Sequence, residues 1–225
     1  MPGSEEHDVH EEPSEEPDIV FFGSTKVKDV INVTCSTATV RGLAVQIADE
    51  MACMRPTAFA KFSEGGNIDF VGASVLPYMS PQAATALKKV ARTRPLQIIS
   101  GFRTVVQQYV LYKWYLAGRC GIPVAAKPGR SNHETGRAVD LNNYTSARAT
   151  MRANGWRDAV AGDPAHFDHQ ASADLRGLDV QAFQRLWNRN NPGNTISVDG
   201  VWGPQTATAL ANSPSGGFAR GAFCM

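Results

Sequence analysis

The stretch Ser131-Asn132-His133-Glu134-Thr135-Gly136-Arg137-Ala138-Val139-Asp140-Leu141 constrains this chain more than any other. It offers an imidazole and, seven residues later, a carboxylate, with Gly136 between them as a possible sharp turn. Ala138, Val139 and Leu141 read as a short buried strand that would hold Asp140 rigidly. Twenty-three residues after Asp140 begins Asp163-Pro164-Ala165-His166-Phe167-Asp168-His169. Two histidines and one carboxylate from these segments would make a three-ligand zinc site with an open fourth position. Such a vacancy is the catalytic arrangement, because water or substrate must occupy it. His133-Glu134-x-x-Arg137 begins like a helical HExxH site, but Arg137 stands where the second histidine belongs, so that site is rejected. Spacing alone leaves an ordinary structural role for these histidines open.

At 225 residues the chain can bury one good core and a small second domain. It has no run of about 18 apolar residues, so no membrane span is expected. The first eighteen residues lack the basic start and apolar core of a secretory signal. They carry eight acidic residues and no Lys or Arg, and read with the rest of 1–24 as a disordered tail. The net charge of +1 therefore hides a body with 22 basic against 13 acidic residues, a balance of +9. Its basic residues are scattered and carry no nucleic-acid signature. An anionic polymer such as a cell wall suits that balance. Cys35, Cys53, Cys120 and Cys224 form no CxxC pair. Their even count permits two disulfides in any of three connectivities, or buried free thiols. A disulfide would imply an oxidising, exported location, periplasmic or extracellular.

Along the chain, 27–40 is mixed and β-branched, which predicts short strands or extended chain. Apolar spacing predicts a helix over 41–54, stopped by Pro56. Residues 59–76 read as strands and loops. Ser80-Pro81 is an N-cap followed by proline at the first helical position, opening a helix to about Arg92. Leu96–Ser100 reads as a buried strand, and a helix is expected from about Thr104 to Ala117. A short helix is expected over 146–154. Helices alternating with short strands predict an α+β fold. Composition changes near 171–174. Residues 173–225 read as a small all-α module, with helices over 179–188 and from Pro204 to about Leu210.

Ser131-x-His133-x-x-Gly136-x-Ala138-x-Asp140 resembles the SxHxxGxAxD motif of the VanY/VanX-type metallopeptidases. These include zinc D-alanyl-D-alanine carboxypeptidases and phage L-alanyl-D-glutamate endolysins. Ser100-Gly101-Phe102-Arg103-Thr104 followed by Gln108 is similar to the family's SGYRS…Q segment, and Asp163-x-x-His166 stands where the family has Glu-x-x-His. The resemblance spans about residues 80–170, within a peptidase domain expected at 25–172. It implies a small antiparallel sheet carrying the metal, with flanking helices. It also implies one Zn2+ held by His133, Asp140 and His166, with Asp163 as general base. Arg103 would bind substrate or the developing oxyanion. Ser131 would bond substrate or only shape the turn, and Gln108 would support the site. Asp163 is one methylene shorter than the family's glutamate. His169 and Asp168 are expected at the rim or beside a ligand, and Glu134 in solvent. Trp114 is expected in the core, and Trp156 and Phe167 in the core or a pocket wall.

Val180-Gln181-Ala182-Phe183-Gln184-Arg185-Leu186-Trp187-Asn188 followed by Asp199-Gly200-Val201-Trp202-Gly203-Pro204-Gln205-Thr206 resembles the peptidoglycan-binding module. The two resemblances together imply a monomeric zinc peptidase in the cell envelope acting on peptidoglycan stem peptides. A D,D-carboxypeptidase cut is slightly favoured over an endopeptidase cut. A catalytically weak or inactive peptidoglycan-binding protein on the same fold is the alternative.

Overall fold

The structure, a computed structural model, describes residues 25–158 and 160–224; the acidic head at 1–24 lies outside the described residues. Seven helices and seven strands are present among these residues. In order they are α1 (Val27–Val30), α2 (Arg41–Met54), β1 (Ala60–Lys61), β2 (Ile68–Phe70), β3 (Tyr78–Met79) and α3 (Pro81–Ala91). Then come β4 (Leu96–Ser100), α4 (Val105–Leu116), β5 (Ala138–Leu141), α5 (Tyr144–Ala153), β6 (Trp156–Arg157) and β7 (His166–His169). Helices α6 (Leu178–Asn190) and α7 (Pro204–Asn212) close the chain.

The main sheet has five strands in the order β2-β4-β5-β7-β6. Strand β2 runs parallel to β4 and the remaining pairs are antiparallel, so the sheet is mixed rather than wholly antiparallel as the resemblance implied. The parallel pair follows from the connection between the two strands, which runs through α3 and returns the chain in the same direction. Residues alternate across the sheet. Val139, Leu141 and Phe167 face one side, where they pack with Leu87 and Val90 of α3, Met151 of α5, and Trp156. Asp140 and His166 point to the opposite side. There, Asp140 stands opposite Ser100 on β4 and His166 on β7, so three strands present one row of polar side chains.

The α+β expectation is met, and the helix over 41–54 falls where its apolar spacing put it. The reading of 27–40 as extended chain is corrected. It forms α1 and a 3-10 turn at Thr37–Val40. Its β-branched residues obey their packing, since Val27, Val30 and Val40 are buried among α2, α4 and α7. Helix α5, expected from 146, begins two residues earlier, at Tyr144.

A second apolar cluster is helical. It joins Leu43, Ile47 and Met51 of α2, Val106, Val110 and Trp114 of α4, Val180, Phe183 and Leu186 of α6, and Leu210 of α7. The boundary expected at 172/173 is thus crossed by one continuous core. Two disulfides reinforce it: Cys35–Cys120 ties the segment before α2 to the end of α4, and Cys53–Cys224 ties the end of α2 to the C-terminal segment. Paired cysteines suit an oxidising compartment. Among the described residues, no helix is long and apolar enough to cross a membrane.

Glu50 of α2 is fully buried and accepts hydrogen bonds from Arg185 Nε (2.7 Å), both Arg189 terminal nitrogens (3.0 Å each) and the Phe223 amide (3.0 Å). Burial works to raise its pKa, but the arginines, Arg189 foremost, and the Phe223 amide outweigh burial and hold the carboxyl below its ordinary value. Its stabilisation is therefore fully present above the ordinary glutamate pKa and is lost as pH falls through the depressed folded value. Glu50→Ala is expected to cost about 3 kcal/mol at neutral pH, the lower end for a broken buried pair because both arginines reach solvent. Denaturant unfolding checks this, and the gap from wild type should narrow in acid.

Candidate metal centre

The site begins with a local turn. Ser131 caps the 3-10 turn Asn132–Thr135 by accepting a hydrogen bond from the His133 amide at 3.2 Å. Glu134 reaches back to accept from the Ser131 amide at 2.9 Å and the Gly129 amide at 2.7 Å. This reciprocal capping fixes the backbone that carries His133. Gly136 then reverses the chain at φ 72, a conformation that suits glycine. A Cβ there would sit 3.2–3.3 Å from Leu175 and Phe59 side-chain carbons. The chain passes directly into β5, which delivers Asp140 beside His166 of β7.

His133, Asp140 and His166 each offer a donor atom, and these atoms lie within 4.8 Å of one another. His133 Nε2 is 3.2 Å from Asp140 Oδ2, and His166 Nδ1 is 2.9 Å from Asp140 Oδ1. The far nitrogen of His133 is engaged behind the site, and that of His166 faces a carboxylate. His133 Nδ1 lies 2.8 Å from the Gly101 carbonyl, which assigns it the N–H and leaves Nε2 facing inward. His166 Nε2 lies 3.2 Å from Asp168 Oδ2, off the direction of a hydrogen bond. Asp168 is itself held by Asn132 Nδ2 at 2.9 Å.

Burial works to raise the pKa of Asp140, but His133 and His166 override it and hold the carboxyl well below the ordinary carboxylate range. Burial works to lower His166, yet Asp140 and Asp168 raise it to about 9. The donor set fits a divalent cation: two imidazole nitrogens and one ionised carboxylate oxygen, with the His133 ring oriented by a carbonyl from behind. Such a cation would take the place now held by the proton of His166.

Arg103 flanks this cluster. Its amide donates to the His133 carbonyl at 3.1 Å. Its guanidinium donates to Gln108 Oε1 at 3.0 Å and Ser100 Oγ at 3.1 Å. Gln108 in turn donates to the Ala126 carbonyl at 2.8 Å. Burial pushes the Arg103 pKa down, while Asp140, Glu134 and Asp163 push it up, so all three carboxylates act on the same guanidinium. Asp163 sits in the turn before β7, where its carbonyl accepts from the His166 amide at 3.4 Å. Its half-buried side chain forms no hydrogen bond or ion pair among the described residues. Of the two roles expected for Ser131, the turn-shaping one is visible.

The expectation of a solvated Glu134 is corrected: it is fully buried, because its carboxylate is consumed in capping the loop. The Ser-x-x-Glu spacing of a capping box was the signal for this. Asp168 reaches the cluster because it shares the face of β7 with His166. His169 points away, packs on Trp156 at 5.2 Å and contacts Ser172 Oγ at 2.8 Å. Trp114, Trp156 and Phe167 are core. Asn132, which orients Asp168, carried no signal of its own, whereas Ser100, which orients Arg103, opened the SGYRS-like segment.

Residues 77–170 match the family model of VanY, D-alanyl-D-alanine carboxypeptidase. The match covers somewhat under half of the chain and contains every residue of the cluster. No curated protein matches the chain.

Because His166 keeps its proton up to about 9, metal uptake near neutral pH must displace it. Metal affinity is expected to rise about tenfold per pH unit below that value and to level off above it. Calorimetric titration in buffers of different ionisation enthalpy measures the released proton. An affinity flat in pH would show that His166 is not a donor.

Proposed function

Taking residues 77–170 as a VanY-type domain, we propose that the chain is a zinc-dependent peptidase that hydrolyses peptidoglycan stem peptides. The observation that carries this reading is the convergence of His133, Asp140 and His166 beside Arg103, inside the matched segment. Zn2+ held by those three residues would supply Lewis-acid activation of water and of the scissile carbonyl.

The chain's own residues do the rest. Asp163 takes the proton of the attacking water and delivers it to the leaving amine. Its side chain is free of hydrogen-bond partners among the described residues, which suits a group that must accept and release a proton. With one methylene fewer than the family's glutamate, it acts either from a backbone set closer to the water or through a second water. Arg103 is held from behind by Gln108 and Ser100, leaving it to neutralise negative charge on the substrate or on the carbonyl oxygen as it develops. Ser131 lines the same loop and offers its hydroxyl to the substrate. Removal of a terminal D-Ala is favoured over a cut within the stem or cross-link. The segment 173–225 holds the wall polymer, and the enzyme works in the cell envelope.

A second reading rests on Asp163. If the shorter carboxylate cannot reach the water, the chain binds peptidoglycan with little turnover. Asp163→Ala is expected to lower turnover about 100-fold or more, with Asp163→Glu active. Equal inactivity of wild type and Asp163→Ala would favour the binding reading. Incubating the zinc-loaded protein with purified sacculi and weighing the fragments separates the two cuts. Loss of a single alanine marks a carboxypeptidase, larger fragments mark an endopeptidase, and no fragment at all overturns the peptidase reading.

A further inference from the structure

Between α3 and the end of α5 lies an open groove of about 580 Å3, on the face of the sheet opposite Asp140 and His166. Gln82, Thr85 and Lys89 of α3 form one wall. Their spacing of three and four residues puts them on one side of the helix. Asn154 faces them from the end of α5, and His169, the last residue of β7, completes the lining. Among the described residues that line the groove, none is acidic.

His169 is only 7 % exposed. Its Nδ1 lies 2.8 Å from Oγ of Ser172, itself buried. That hydroxyl has no other side-chain partner among the described residues, so it donates to Nδ1 and leaves the ring N–H on Nε2. Nε2 makes no hydrogen bond among the described residues. Beside it is Gly155, at φ 85, where a Cβ would stand 3.1 Å from Nε2. A side chain there would cover this nitrogen, and the glycine leaves it open to the groove. The start of α3 adds a second donor. Ser80 takes the Ala83 amide through its hydroxyl at 3.4 Å and the Ala84 amide through its carbonyl at 2.9 Å. The Gln82 amide is left without a partner among the described residues, at the positive end of the helix. Lys89, exposed, adds a full positive charge further along the same wall.

Donors and a cation without an acid suit a carboxylate. Two oxygens suit the N–H groups of a peptide beside it. The Thr85 hydroxyl donates to the Pro81 carbonyl at 2.8 Å and Asn154 Nδ2 to the Thr150 carbonyl at 2.9 Å, so each side chain has an oxygen left to accept. From Gln82 to Lys89 a helix rises about 10 Å, the length of about three extended residues. We propose that this groove is a second binding site, for an acidic peptide of about three residues in extended form. Both walls hang from the turn between His133 and Asp140: the Ser80 amide donates to the Gly136 carbonyl at 2.8 Å and the His169 amide to the Arg137 carbonyl at 3.0 Å. The groove nevertheless opens on the other face of the sheet, so it can be filled while the metal centre holds substrate. A neighbouring stem of a cross-linked wall supplies such a peptide. That source rests on the proposed function; the preference for an acidic peptide does not.

The test titrates the tripeptide L-Ala-D-Glu-L-Ala into the full-length, zinc-loaded chain and follows the histidine ring resonances by NMR. The His169 ring signal is expected to shift and saturate. The same tripeptide with both carboxyl groups amidated should bind at least about tenfold more weakly, since a hydrogen bond to a charged group is worth that much. Gln82→Glu and Lys89→Glu, both at exposed positions, should each weaken the acidic tripeptide about tenfold or more and leave the diamide unaffected. A His169 signal that stays still would overturn the proposal, as would shifts at His133 and His166 alone, which place the peptide at the metal centre. Equal binding of the diamide, or full affinity in Lys89→Glu, would overturn it too. Acetate binding as tightly as the tripeptide would show a site for a bare anion and sink the peptide assignment. Because hydrolysis is not measured, inert sacculi with intact groove binding would count against the peptidase reading only.

Discussion

The pairing of β5 with β7 is the constraint on which the site depends. It sets Asp140 opposite His166, and the bulged pairing with β4 sets Ser100 opposite Asp140. Side chains alternate along a strand, so a slip of one residue would send Asp140 into the apolar layer and Val139 into the site. What prevents the slip is burial on the other face. Val139, Leu141 and Phe167 lie within a packed layer with α3 and α5 and cannot be turned outward without exposing it. The polar row is thus located by the apolar row behind it. His133 enters from outside the sheet, and its place is fixed instead by capping and by the Gly101 carbonyl.

The helical half is held by a different principle. Its apolar cluster runs from α1 to α7, and a buried glutamate on α2 gathers two arginines of α6 at its edge. A carboxylate in that position is costly to strip of water and is tolerated because four donors replace the water. Asp179, in the first turn of α6, is fully buried as well, and neither of its oxygens has a hydrogen-bond partner among the described residues. The Glu50 cluster ties α2 to α6, and the Leu175 amide just before α6 donates to the Thr135 carbonyl at 3.1 Å, so the start of α6 borders the loop of His133.

Much of this could be read from the chain. Helix α3 announced itself through Ser80-Pro81, whose cap and missing amide suit a helix start, and α2 through apolar spacing. Strands β4 and β5 were short apolar runs between turn residues. The metal cluster was legible because the Ser131–Leu141 motif is local, and a turn followed by a strand leaves few ways to place His133 relative to Asp140. What the sequence concealed depends on partners far away in the chain. Val27 and Val40 are helical because a helical core surrounds them, and β-propensity yields to that packing. Glu134 looked like a surface residue because a charged side chain in a loop is usually solvated, and the residues that bury this loop lie elsewhere in the chain, Leu175 and Phe59 among them. The capping-box spacing pointed to its local role, but nothing local announced its full burial.

If 173–225 binds wall polymer as proposed, its packing bears on how it would assist the proposed peptidase. A module on a flexible linker raises the local concentration of polymer but leaves its orientation free, and much of the gain depends on linker length. Here the turn at Asp199–Gly200 is clamped by Gln184, which accepts from both of its amides at 3.0 and 2.9 Å, and Trp202 beside it packs on Tyr109 of α4. Helix α4 in turn begins two residues after Arg103. A polymer bound along that turn would therefore be presented at a fixed angle to the metal centre. Affinity at one end would be converted into alignment at the other, and lost entropy of orientation is one of the larger barriers that a site of this kind must remove.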